Sequence, residues 1–261
     1  MGVLNVTPDS FSDGGRFLGR AAAIEHAKRL IEEGADILDI GGESSRPGAQ
    51  PVGEDEELFR VLPVLEALRG MNIPISVDTR RPRVMQEALR AGAAMINDIE
   101  ALGTPGALEA VTGSACAVCL MHKRGEPATM QNGPMYEDVV REVRDYLERA
   151  IQRAVSAGIA RGRIVADVGF GFGKTVAHNF ELLRRMQEFS DLGVPIVAGL
   201  SRKSAIGAVT GRPVGERLAG SVAAAVLAVQ GGASILRVHD VRETRDALAI
   251  VWAAGLEARA T

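Results

Sequence analysis

The sequence carries eight short apolar runs spread along its length, each followed by a polar turn and then a helical pattern. They are GVLNV (2–6), ADILDI (35–40), PISVD (74–78), AMIND (94–98), ACAVCLM (115–121), RIVAD (163–167), PIVAG (195–199) and ASILRV (233–238). The runs are rich in β-branched residues and do not alternate, as in strands buried on both faces of a parallel sheet. Amphipathic stretches such as 23–34 and 137–158 lie between them and end on a glycine, the usual helix stop. Eight such units in about 250 residues predict an α/β chain closed as a (β/α)8 TIM barrel rather than an open doubly wound sheet. No linker or low-complexity stretch interrupts them, so one domain is expected over 1–261. Aromatic residues are only 4%, so the core must be built from Ala, Val, Ile, Leu and Gly.

Several function classes fall away at once. A net charge of −3 argues against a nucleic-acid partner, though local basic clusters could hold a small anion. The opening MGVLNVTPDS lacks a basic start and meets Asn5, Pro8 and Asp9 too early for a secretion signal. The apolar run at 222–229 is too short to cross a bilayer. No membrane association and a cytoplasmic location are expected. Cys116 and Cys119 form a CxxC, but on a strand residues three apart face opposite ways, so the sulfurs should not meet. The acidic run Glu54 to Glu57 suits a helix start and reads as a solvated face.

The ends of the runs are the informative places. They bring Asn5, Asp39, Asp78, Asn97 with Asp98, Met121 with His122, Asp167, the Ser201-Arg202-Lys203 segment, and Arg237 with His239 and Asp240. Carboxylates at the ends of buried strands are costly, so one at nearly every strand points to a site on the barrel rim. Asp78, Asn97 and Asp167 suit a flat heterocycle with several N–H donors, because one carboxylate can take two hydrogen bonds from a guanidine-like ring edge. Arg46, Lys203, Arg237 and His239 offer positive charge, and the loops after strands 7 and 8 commonly bind phosphate in this fold. Ser201 is expected to begin a helix whose backbone N–H groups would face the same anion. Loops 4–15 and 41–49, with Phe11 and Arg46, read as lids. GFGFGKT (169–175) is not a P-loop: GxxxxGK[ST] needs glycine at Val168, and the segment follows the sixth strand.

Eight segments in order resemble the dihydropteroate synthase family over essentially the whole chain: LNVTPDSFSDGG (4–15), DIGGESSRPGA (39–49), SVDT (76–79), INDI (96–99), LMH (120–122), GFGFGK (169–174), SRKS (201–204) and RVHDV (237–241). The resemblance implies condensation of 6-hydroxymethyl-7,8-dihydropterin pyrophosphate with 4-aminobenzoate in folate biosynthesis, with Mg²⁺ as cofactor. It implies that Asn5 helps hold the Mg²⁺, and that Asp78, Asn97, Asp167 and Lys203 bind the pterin with Met121 lining its pocket. Ser45, Arg237 and His239 would bind pyrophosphate, with Asp39 beneath the site. Aminobenzoate would lie between the lids, near Phe11, Pro47, Phe172, Lys203 and the Ser201 helix start, with Arg46 also at the substrate. The catalytic group would be Lys203, Asp78, Asp167, Arg237 and His239, and the assembly a homodimer. Sulfonamides compete for the aminobenzoate pocket in this family. The chain departs from the family pattern at Ser45, where threonine is common, at Val168, where proline is usual, and at Lys123 and Arg124, which are unusually basic. A corrinoid-linked pterin methyltransferase domain, a non-catalytic pterin-binding module and a Schiff-base lyase using Lys203 remain as alternatives.

Overall fold

A computed structural model describes residues 1–6, 15–43, 52–125, 130 and 133–256. Strand and helix alternate as β1 (Gly2–Asn5), α1 (Gly15–Glu32), β2 (Leu38–Gly41), α2 (Glu54–Ala67), β3 (Ile75–Asp78), α3 (Pro82–Arg90), β4 (Met95–Asp98) and α4 (Ala107–Thr112). They continue as β5 (Ala117–Met121), α5 (Val139–Ser156), β6 (Ile164–Asp167), α6 (Val176–Arg184), β7 (Ile196–Ala198), α7 (Ser204–Thr210), α8 (Leu218–Gln230), β8 (Ile235–Leu236) and α9 (Val241–Ala253). All eight strands pair in parallel in chain order. The ring closes where Val3 N donates to Val238 O at 2.9 Å and Val238 N donates to Met1 O at 3.0 Å. The expected barrel is therefore the observed one.

Each expected strand appears, but shorter than its apolar run. Residues 35–37 turn the chain out of α1, after Gly34 at φ +93°, so β2 starts only at Leu38. The eighth run keeps two paired residues as β8, and Val238 serves the closing bridge. Helix α5 is fixed at both ends by its own sequence. Asp138 Oδ1 accepts from Val140 N and Arg141 N at its start, and Gly158 at φ +97° follows its end.

Side chains on the strands alternate between two cores. Met95, Cys119, Val165 and Val197 fill the barrel interior. Leu38, Ile40, Val77, Ile96, Val118, Leu120 and Ile164 pack outward in the shell shared with the helices. Cys116 joins the outer shell and Cys119 the inner one, so the two free thiols face different layers. Register then decides which polar residues meet. Asn5, Gly41, Asp78 and Asn97 are successive partners across β1 to β4, forming one row at the strand ends. A slip of one residue would turn that row out of the barrel.

One expectation fails in α2. The acidic run is not wholly solvated: Glu57 is fully buried. Arg81, just before α3, donates to Glu57, to Glu43 and to Val52 O. Burial pushes the Glu57 carboxyl up, while Thr79 and Arg81 oppose it. Gly42 lets α2 come this close, since a Cβ there would meet Val61 Cγ2 at 2.9 Å and Glu57 Cγ at 3.0 Å. The periodicity showed a helix with acidic residues at its start, but not that its first turn leans over the end of β2.

Removing one partner of a buried ion pair leaves the other uncompensated. Arg81→Met should therefore destabilise the fold by about 3 kcal/mol, whereas Glu57→Met with Arg81→Met should recover most of that loss. Urea unfolding of the three chains checks both statements.

Candidate active site

The C-terminal ends of the strands surround a cavity of about 410 Å³. Its walls include Asn5 from β1, Asp78 from β3, the 170–172 backbone after β6, Ser201 and Lys203 after β7, and Arg237 and His239 after β8. Most of the expected site residues that are described thus meet at one mouth. Asn97, Met121 and Asp167 do not line the cavity; they are buried at the ends of β4, β5 and β6. Phe11, Ser45, Arg46 and Pro47 lie outside the described residues, as do the central parts of both expected lids.

Arg237 ties the strand ends together. Its Nε donates to Asp39 Oδ2 at 2.6 Å and its Nη2 to Asp78 Oδ2 at 2.9 Å. Asp39 is fully buried, and the same Oδ2 accepts from Asn97 Nδ2 at 3.1 Å. One buried carboxylate oxygen therefore orients a cation and an amide. Asp39 Oδ1 has no partner among the described residues. Burial pushes the Asp78 carboxyl up to about 7, with Arg237 opposing and Asp39 adding to the rise. The Arg237 guanidinium is also buried, but Asp39 and Asp78 hold its pKa above the ordinary value.

Lys203 closes the other side. It stands at the N-cap of α7, and its Nζ donates to Phe170 O and lies 4.8 Å from the Phe172 ring centroid. Burial brings its ammonium down to about 8, with Asp167 opposing the shift. Burial raises the Asp167 carboxyl, while Lys203 and the Gly169 N–H, which donates to Oδ1 at 2.7 Å, favour its ionised form. Read from charge alone, Lys203 belongs with the anion grip; in the structure its ammonium lies against the β6 loop, where the charge of Asp167 acts on it. Gly171, at φ +81°, lets the backbone pass under the lysine, because a Cβ there would come within 3.2 Å of Lys203 Cδ.

Some expected roles change. Ser201 does not begin a helix: α7 starts at Ser204 and has seven residues. The Ser201 hydroxyl instead accepts from His239 N at 3.2 Å and lies 3.0 Å from His239 Nδ1. Asp98 caps a turn, accepting from Glu100 N and Leu102 N at 2.8 Å each. Arg202 is engaged by Asp240 rather than pointing both charges at the mouth. Lys123, one of the departures from the family pattern, pairs with Glu100 at 2.6 Å, and Arg124 pairs with Glu142 at 2.6 Å. Both keep structural contacts.

Three contributors were not foreseen. Arg217 and Met130 line the cavity, and Phe170 supplies a carbonyl to Lys203. Neither Arg217 nor Met130 stands at a strand end, so no positional signal marked them.

A divalent cation finds little protein ligation here. Among the described residues no three His, Cys, Asp or Glu side chains cluster for a metal. Asn5 Oδ1 and Asp78 Oδ2 do converge, both within 3.9 Å of the point where a Cβ on Gly41 would stand. One amide beside an engaged carboxylate fits a Mg²⁺ whose remaining ligands are water and substrate phosphate oxygens.

The pterin binding enzyme family matches residues 1–239 of this chain. A dihydropteroate synthase of Haemophilus influenzae is 52% identical over 255 residues, which is 97% of this chain and 92% of that protein. Among solved structures, Yersinia pestis dihydropteroate synthase with a sulfonamide drug superposes with TM-score 0.93 at 48% identity, covering 98% of this chain and 93% of that one. Xanthomonas albilineans dihydropteroate synthase with 4-aminobenzoic acid gives 0.93 at 53% identity, and the same enzyme with 7,8-dihydropteroate gives 0.90 at 50%; both cover 98% of this chain and 92% of theirs.

The cation opposing Asp78 is testable without substrate. Carboxyl ¹³C NMR should show Asp78 titrating near about 7. In Arg237→Met its midpoint should move further up, since the cation that lowers it is gone. A fall in that midpoint, or no change, contradicts the pairing.

Proposed function

This chain belongs to the dihydropteroate synthase family of pterin-binding enzymes, transferases of folate biosynthesis, and from that premise we propose how its rim residues divide the work. The reaction joins 6-hydroxymethyl-7,8-dihydropterin pyrophosphate to 4-aminobenzoate, giving 7,8-dihydropteroate and pyrophosphate. The carrying observation is that Asp78, Lys203 and Arg237 face one cavity, while Asn97 shares Asp39 Oδ2 with Arg237 and the buried Asp167 acts on the Lys203 ammonium through its charge.

Asp78, Asn97 and Asp167 grip the N–H edges of the pterin, with Met121 at the pocket floor. Lys203 lies against that ring's site and steadies Asp167. Arg237, His239 and Ser201 hold the pyrophosphate: a planar fork, an imidazole and a hydroxyl all suit phosphate oxygens. Asn5 is the protein ligand for Mg²⁺, which when bound offsets the negative charge of the pyrophosphate. The bond from the pterin methylene carbon to the pyrophosphate oxygen breaks first, and its electron pair leaves with the pyrophosphate. The dihydropterin ring spreads the resulting positive charge, and the Asp78 and Asp167 carboxylates stabilise it. The aminobenzoate nitrogen then attacks the methylene carbon and releases a proton to solvent. No covalent bond to the protein forms, because an aromatic amine is already a free nucleophile at neutral pH. The aminobenzoate, and a competing sulfonamide, sit by Phe172 and Lys203.

The protein acts as a homodimer in the cytoplasm. Three successive helices each expose large apolar side chains: Val209 on α7, Leu218 and Leu227 on α8, and Ile250 on α9. No helix among the described residues is long and apolar enough to cross a membrane. Light scattering that gives one chain mass would refute the dimer.

The direct assay mixes the protein with dihydropterin pyrophosphate, 4-aminobenzoate and Mg²⁺ and follows pyrophosphate and coupled product. Pterin binding with no pyrophosphate release would favour a non-catalytic module instead. Lys203→Ala and Arg237→Ala should each lose transition-state stabilisation of about 2 kcal/mol or more in kcat/KM. A near-normal rate in either removes that residue from its role. The pH profile follows from the two shifted groups: Asp78 must be ionised and Lys203 protonated in the free enzyme. kcat/KM should rise through a pH of about 7 and fall beyond about 8.

A further inference from the structure

The GFGFG loop after β6 carries glycines at φ +70° (Gly169), +81° (Gly171) and +62° (Gly173). Such a backbone has little stiffness of its own, so its shape must be imposed by contacts. Two of the glycines are packed tightly against the loop after β5. A Cβ on Gly169 would come within 1.8 Å of His122 O, and one on Gly173 within 2.1 Å of Arg124 O. Asn179 on α6 accepts from Gly171 N at 2.6 Å. From outside the loop Tyr136 Oη donates to Gly173 O at 2.9 Å; from inside it, Lys174 binds the backbone.

Lys174 is 2% exposed and forms no ion pair with a carboxylate among the described residues. In a nucleotide-binding loop a lysine after glycine would reach out to phosphate; this one turns inward. Its Nζ donates to Gly169 O at 2.9 Å and to Phe172 O at 3.1 Å, and lies 2.9 Å from His122 Nδ1. The side chain thus folds back across its own loop and ties both ends of it to the end of β5. A methionine would fill the same space with no cost of burying an amine. What methionine cannot do is bind two carbonyl oxygens.

The two carbonyls belong to the segment that places the pterin grip. Gly169 donates to Asp167 Oδ1, Phe170 O accepts from Lys203, and the Phe172 ring lies under the same ammonium. We propose that Lys174 is a positioning residue: by clasping Gly169 O, Phe172 O and His122 Nδ1 it fixes the loop that sets Asp167 and Lys203 at the spacing the heterocycle requires. The clasp holds in either charge state. Burial lowers the Lys174 pKa well below that of a free lysine, and burial with Lys174 nearby holds the His122 imidazole neutral, at about 2. An ammonium donates to all three partners; a neutral amine donates to both carbonyls and accepts from His122 Nδ1–H.

This inference rests on the pterin reading, so the test separates the two halves of the substrate. Binding of a pterin without pyrophosphate, and of inorganic pyrophosphate with Mg²⁺, is measured by calorimetry on the full chain. Lys174→Met should bind the pterin about tenfold or more weakly, since a small displacement of gripping groups is costly. Its pyrophosphate affinity should stay within about twofold, because those groups sit after β7 and β8. Lys174→Gln, which still donates to both carbonyls, should restore pterin binding to within about threefold of the parent chain. The proposal is overturned if Met leaves pterin binding intact, if both ligands are lost equally, or if Gln is no better than Met. Should the Met chain not fold, His122→Phe decides: it removes one acceptor from the amine, and must weaken pterin relative to pyrophosphate by about threefold. An unchanged ratio there equally overturns it. A parent chain that binds no pterin refutes the functional reading and not the clasp.

Discussion

The bridge from Arg237 to Asp39 and Asp78 joins the end of the chain's last strand to its second and third. β8 has only two paired residues, and beyond the closing bridge at Val238 the guanidinium adds a side-chain tie from this end of the sheet to β2 and β3. A carboxylate as buried as Asp39 would be costly without a cation and a donor. It has both, and they are Arg237 and Asn97. A single oxygen atom, Asp39 Oδ2, therefore orients both Arg237 after β8 and Asn97 in β4.

Around that bridge the rim is rich in charge held at partly buried positions. Burial raises Asp78 and lowers Lys203, and in each case opposite charges nearby limit the shift. Such an arrangement costs stability, but its dipoles and charges are already in place when charge develops on the substrate. The outer shell offsets the cost: close to the helices almost every large strand residue is fully buried. The Glu57–Arg81 pair repeats the theme behind β2 and β3, where a buried carboxylate again holds helices to strand ends.

The loop after β6 shows how a flexible segment can be made rigid from inside. Three glycines let it approach His122, Lys203 and Arg124 more closely than any side chain permits. The same freedom would leave it shapeless were Lys174 and Asn179 not bonded to its backbone. Close approach and stiffness thus come from different residues of one motif.

Composition and periodicity alone established the barrel, the order of its strands, the separation of Cys116 from Cys119, and the strand-end placement of Asp78, Asn97, Asp167, Lys203 and Arg237. These depend on local pattern, which is written residue by residue. Which strand ends touch was not so written. That Asp39 would be the hub, that Lys203 would lean to the β6 loop, that Ser201 would serve His239 instead of a helix, and that Glu57 would be buried all follow from register, barrel closure and the lean of helices. Those are set by packing among residues as far apart as Met1 and Val238, where a sequence pattern carries no distance.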